Sequence, residues 1–126
     1  FHGVEVQALE GYVEALVSVA HAIYKERIYT LNDYITLSRW GSKRTQKLAE
    51  KLRCSKAISL ALRIHRLVEG NALSLPYKIP LPIWLSILAH KVEDKATRAT
   101  IPNVLKLFGE RRAGIQMVSK LTRNSY

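Results

Sequence analysis

The 126-residue chain is poor in cysteine, methionine, proline, aromatic residues and acid: one Cys, one Met, four Pro, 8% aromatic and 10 Asp+Glu. A lone cysteine, Cys54, can form no intrachain disulfide and has no second thiolate for a cysteine-based zinc site, so the fold rests on packing. The histidines His2, His21, His65 and His90 show no metal-ligand spacing and no accompanying acidic cluster, and a metal site is not expected. Glu93 and Asp94 are adjacent and diverge by about 100° on a helix, so they are no matched acid pair. The six glycines form no phosphate-cradling loop. With none of these constellations present, catalysis and cofactor binding are not expected. The most apolar stretches, 15–23 and 79–89, fall short of the roughly 20 residues needed to cross a bilayer. The first residues lack a basic segment, and Glu5, Glu10 and Glu14 interrupt their apolar run, so a secretion signal is not expected either.

What is present is apolar surface and positive charge. An apolar fraction of 48% over 126 residues is enough for the core of one domain. Twenty Lys+Arg against ten Asp+Glu give a net charge of +10, which points to a polyanionic partner. The excess is localised. Residues 1–24 hold no Lys or Arg and three Glu, for −3. Residues 25–66 hold eleven basic residues against Glu26, Asp33 and Glu50, for +8, and the remainder carries +5. The centre of the patch is Arg39, Lys43, Arg44, Lys47, Lys51, Arg53, Lys56, Arg63 and Arg66. A second, smaller cluster is Arg111, Arg112, Lys120 and Arg123.

Periodicity predicts an all-α helical bundle with an extended N-terminal helical arm and a Pro-rich apolar connection. Gln7, Glu10, Glu14, Ser18, His21 and Lys25 form one narrow polar stripe, which predicts a helix from Val4 to about Arg27 that is apolar around most of its circumference. Thr30 with Asp33 makes a near capping box for a short helix to Trp40, which Gly41 ends, and Ser42 can cap the next. Lys43, Arg44, Lys47 and Lys51 share one face. From Lys56 to Val68 the stripe is Lys56, Ser59, Arg63 and Arg66. One straight helix cannot keep both faces in phase, so a turn is expected at residues 53–55, with Ser55 as N-cap and Gly70 closing the second helix. Residues 71–82 contain Pro76, Pro80 and Pro82 and read as an irregular connection. Pro82 suits the start of a helix to about Ala96, and Thr100 can cap a last segment. The expected organisation is an apolar arm over 1–28 and a basic bundle over 29–126.

Leu48 to Leu52 followed by Ser55-Lys56 resembles a helix-turn-helix DNA reader. Arg53 stands where such turns usually have Gly, and Ala57, Ile58 and Leu60 are out of step with the usual core spacing. Each basic stripe alone is explained by solvation of a helix surface. The two together, with Arg39 before them, exceed what solubility needs and suggest phosphate contacts rather than base reading. Aromatics are too scattered for a single-strand stacking platform, and Tyr34 and Trp40 are expected in the core. The first helix and residues 73–88 carry more apolar surface than one small domain hides. Leu9, Val13, Leu16, Val17, Tyr24, Leu75, Tyr77, Ile79, Leu81 and Trp84 are therefore expected at subunit contacts in an oligomer.

An apolar helical first segment, basic helices and a Pro-punctuated hydrophobic middle, with few thermolabile residues, make the chain similar in organisation to the major capsid proteins of filamentous and rod-shaped DNA viruses of hyperthermophilic archaea. The resemblance implies a virion subunit, present in the host cytoplasm before assembly. It also implies that basic helix faces hold double-stranded DNA in A-form, that copies or a paralogous coat subunit pair into a filament, and that a membrane envelope lies outside in some members. The acidic character of residues 1–24 departs from the DNA-wrapping arm of that family and suits contact with another subunit instead.

Overall fold

The computed structural model describes residues 8–93 and, beyond them, Arg98, Ala99, Pro102, Lys106, Ile115 and Ser119. The described chain is mostly helical: α1 Gly11–Ala20, a π-helical turn His21–Glu26, α2 Leu31–Trp40, α3 Lys43–Lys51, α4 Ser55–Glu69 and α5 Leu81–Val92. Two short strands, β1 Ile28–Tyr29 and β2 Tyr77–Lys78, pair antiparallel with Ile28 opposite Lys78 and Tyr29 opposite Tyr77. The Ile79 amide donates to the Arg27 carbonyl at 3.0 Å and extends that ladder.

The segment expected as a separate arm is, over its described part, the centre of the bundle. α1 packs against α2, α3 and α4. Ala15, Leu16, Val19, Ala22 and Ile23 belong to one core cluster with Leu37, Ala49, Ala57, Ala61, Ile64, Ile79 and Ile87. Most of its apolar circumference is therefore spent inside the chain, with Val17 left exposed. Alanines are what permit it: Ala15, Ala49, Ala57 and Ala61 are fully buried, and small side chains let helix axes approach closely. The polar stripe faces water as its spacing requires, with Glu10, Glu14, His21 and Lys25 exposed.

Local boundaries follow side-chain chemistry. Thr30 and Asp33 form a full capping box at α2, and the second Asp33 oxygen accepts from the Ser18 hydroxyl at 2.7 Å. One carboxylate thus starts α2 and fastens it to α1. Ser42 and Thr45 do the same for α3, with Thr45 buried at 1% exposure. α1 begins at Gly11 rather than Val4, and residues 1–7 lie outside the described part. The N-cap of α4 is Cys54, not Ser55, which is the first helical residue. Gly70 closes α4 as its C-cap, as expected, and the left-handed residue that follows is Asn71, at φ 54°. Pro82 is the second residue of α5. The expected end of that helix at Ala96 and the expected cap at Thr100 lie outside the described residues.

Candidate nucleic-acid interface

Arg39, Lys43, Arg44, Lys47, Lys51, Arg53, Lys56, Arg63 and Arg66 are all exposed. Their placement is a consequence of the core. On α3, buried Thr45 and Ala49 turn Lys43, Lys47 and Lys51 outward in a row with steps of about 6 Å. On α4, burial of Ala57, Ile58, Ala61, Ile64 and His65 leaves Lys56, Arg63 and Arg66 on the opposite side, along about 15 Å of helix. Among the described residues none of the nine cations forms an ion pair; His21 lies 3.5 Å from Glu26 and His90 3.4 Å from Glu93. Arg39 lies over the Trp40 ring, 5.1 Å from its centroid, a distance at which a cation is attracted to the ring face.

The turn between α3 and α4 is a complete Schellman motif. The Cys54 amide donates to the Ala49 carbonyl at 2.7 Å and the Arg53 amide to the Glu50 carbonyl at 3.1 Å. Arg53 occupies the left-handed position at φ 54°, the conformation for which glycine is usually selected. An arginine there sets a cation at the corner joining the two stripes.

The stripes flank the space between their helices and do not line it. The shallow groove between α3 and α4 is bounded by Gln46, Ala49, Glu50, Ser55, Ile58, Ser59 and Leu62. A larger cleft of about 380 Å³ lies where α2, α3 and α4 meet; Lys43 reaches it, beside Ser38, Gln46, His65 and Glu69. The positive charge is thus displayed on outward helix faces, a geometry that meets a large surface rather than enclosing a small ligand.

Behind this surface lies a polar network with no counterpart in the sequence reading. His65 Nε2 is 2.9 Å from the Tyr29 hydroxyl, and His65 Nδ1 is 3.5 Å from Ser38 Oγ. The Tyr29 hydroxyl donates to the Asp33 carbonyl at 3.3 Å. The Tyr34 ring lies 4.2 Å from the His65 ring, tilted by 34°. Burial lowers the His65 pKa, against a smaller opposing pull from Glu69. Burial also raises the Tyr29 pKa, with the Asp33 charge adding to it. No sequence spacing announces the cluster, because its members come from β1, α2 and α4.

The expected subunit-contact residues divide. Leu16 and Ile79 are buried within the chain and present no surface. Val13, Tyr24, Leu75, Tyr77 and Trp84 are half-buried, and Tyr24, Leu75, Tyr77 and Trp84 pack on the core. Leu9, Val17 and Leu81 remain exposed. Trp40, expected in the core, is 44% exposed because it caps Gly11 from outside: a Cβ at Gly11 would run into its ring. Tyr34 does pack against the core. Arg111, Arg112, Lys120 and Arg123 lie outside the described residues. Among the described residues no group of three or more His, Cys, Asp or Glu is placed to hold a metal ion, and no helix is long and apolar enough to cross a membrane. Comparisons with protein-family models, with curated proteins and with solved structures find no match for this chain.

Proposed function

We propose that the protein is a structural nucleoprotein that coats double-stranded DNA without sequence preference, as a virion coat subunit. The observation that carries the DNA-binding part is the set of nine exposed cations on α2, α3, α4 and the turn between α3 and α4, unpaired with acids among the described residues. Lys and Arg on convex helix faces suit phosphates, whose contacts position a protein without reading bases. The coat role, the A-form duplex, the paired subunits and an outer envelope rest on the resemblance to the archaeal capsid proteins.

A subunit that engages about six phosphates releases their counterions, so log K against log salt should fall with a slope near −5. A slope near zero, measured by fluorescence anisotropy on a random duplex, would reject a phosphate-dominated site. Arg53 favours a second reading, a dimeric helix-turn-helix regulator, since it takes the left-handed turn conformation those motifs require. Competition separates the two: a regulator prefers its own site over random duplex by about 10³ or more, and a coat protein binds both alike.

A further inference from the structure

Residues 38–44, which close α2 and open α3, are exposed without interruption. They include three cations, Arg39, Lys43 and Arg44, and no acid. Trp40 stands among them at 44% exposure, and of the described Tyr and Trp residues it alone is exposed. Leu37 is the buried residue of α2; Trp40, three positions on, lies at the rim of the bundle, where its ring covers Gly11. Covering a glycine uses part of an indole. The remainder is apolar surface open to water in the middle of a basic patch.

We infer that Trp40 is a non-ionic contact of the DNA interface, its indole laid against the sugars of the strand whose phosphates Arg39, Lys43 and Arg44 hold. The inference rests on the DNA-binding part of the proposed function and adds to it a residue that carries no charge. The cations on either side of Trp40 in the chain select the occupant: they bring phosphates to the flanks of the ring, and the apolar surface between successive phosphates of one strand is deoxyribose. In an intact duplex the base faces are stacked on one another, so a ring outside the stack meets sugars and groove edges. A stacking platform for single strands needs several exposed aromatics on successive bases, and the described residues offer one.

Arg39 supports the same placement. Its guanidinium lies 5.1 Å from the centroid of the Trp40 ring, which holds it beside the indole before DNA arrives, so less side-chain freedom is lost when it takes up a phosphate. Phosphate and sugar contacts fix the register of a protein on a duplex without reading its sequence, in keeping with binding that has no base preference. Salt separates the two kinds of contact. Loss of a phosphate-binding cation lowers the salt slope by about one, whereas loss of an uncharged ring weakens binding at every salt concentration and leaves the slope unchanged.

The chain has two tryptophans, Trp40 and the half-buried Trp84, so Trp84→Phe leaves Trp40 as the sole reporter. Saturation with random duplex should shield its emission from acrylamide; if Trp84→Phe does not fold, quenching is read in the unaltered protein against Trp40→Phe. Trp40→Ala should weaken duplex binding about tenfold, equivalent to about 1.4 kcal/mol, with an unchanged salt slope. Trp40→Phe should keep most of the affinity, and Arg39→Gln should lower the slope by about one. Because Trp40 also covers Gly11, circular dichroism and urea unfolding check each variant. Equal quenching of Trp40 free and on the duplex would overturn the inference, as would unchanged affinity of a folded Trp40→Ala. A preference of about tenfold or more for a duplex with a one-nucleotide gap, lost in Trp40→Ala, would overturn it in favour of stacking on a base. If the unaltered protein binds no duplex, the DNA reading and this inference fall together; duplex binding with Trp40 unshielded removes this inference alone.

Discussion

His65 shows how one buried side chain sets the response of the chain to acid. It is 7% exposed, and one proton assignment satisfies its neighbours: Ser38 donates to Nδ1, Nε2–H donates to the Tyr29 hydroxyl, and Tyr29 donates to the Asp33 carbonyl. That arrangement requires a neutral imidazole. The folded-state pKa is lowered by burial, while the unfolded chain protonates at about 6.5. The unfolded state then binds more protons in the window below 6.5, so stability rises with pH there. The contribution is complete above that window and is lost as pH falls toward the folded value. Urea unfolding should show lower stability at pH 5.5 than at pH 7.5, and His65→Gln should flatten the difference. An equal pH dependence in both proteins would assign the titration to another group. Nothing in the spacing of four scattered histidines singles out His65, because its partners arrive from three elements.

The starts of α2 and α3 were legible in the sequence because their caps are local. Thr30 with Asp33 and Ser42 with Thr45 satisfy amide donors within three residues, and Gly41 ends α2. Helix stops were less so. The π turn, α3 and α4 each end at a residue in the left-handed region, Arg27, Arg53 and Asn71, and two of the three are arginines that carry no local preference for it. The π turn itself was invisible, because residues 21–26 keep ordinary helical spacing in the sequence. Gly11 was also silent in the sequence, although its place is dictated by α2. A Cβ there would collide with the Trp40 ring, so Gly11→Val should cost about 1–3 kcal/mol by overpacking. The double variant with Trp40→Ala should be no less stable than Trp40→Ala alone, measured by denaturant unfolding. Full additivity would mean that the two positions do not meet.

For the whole molecule, the central question is whether the two basic stripes act as one surface. They sit on different helices, joined at Arg53, and the groove between those helices contains neither stripe. Reversal of Lys43, Lys47 and Lys51 to Glu should abolish tight duplex binding with an unchanged far-ultraviolet spectrum. Reversal of Lys56, Arg63 and Arg66 should do the same if both faces touch DNA. Each set removes about three phosphate contacts and lowers the salt slope by about three. Loss with one set alone would assign the contact to that helix, and unchanged binding with both would move it to Arg111 through Arg123.

The sequence by itself determined the helical class, the capped starts of α2 and α3, and the exposure of the nine central cations, because each follows from periodicity or from groups within one helical turn. It also located the apolar excess of 73–88. What the tertiary structure decided is where that apolar surface goes. An apolar stripe looks the same whether its partner belongs to the same chain or to a neighbour. Packing sends Ala15, Leu16, Val19 and Ile79 into the core of the chain and leaves the outer face of α5 to solvent. It likewise assembles Tyr29, Tyr34, Ser38 and His65 from distant positions. Hydrophobic burial is non-directional, so composition fixes how much surface must be covered, and three-dimensional contact alone selects what covers it.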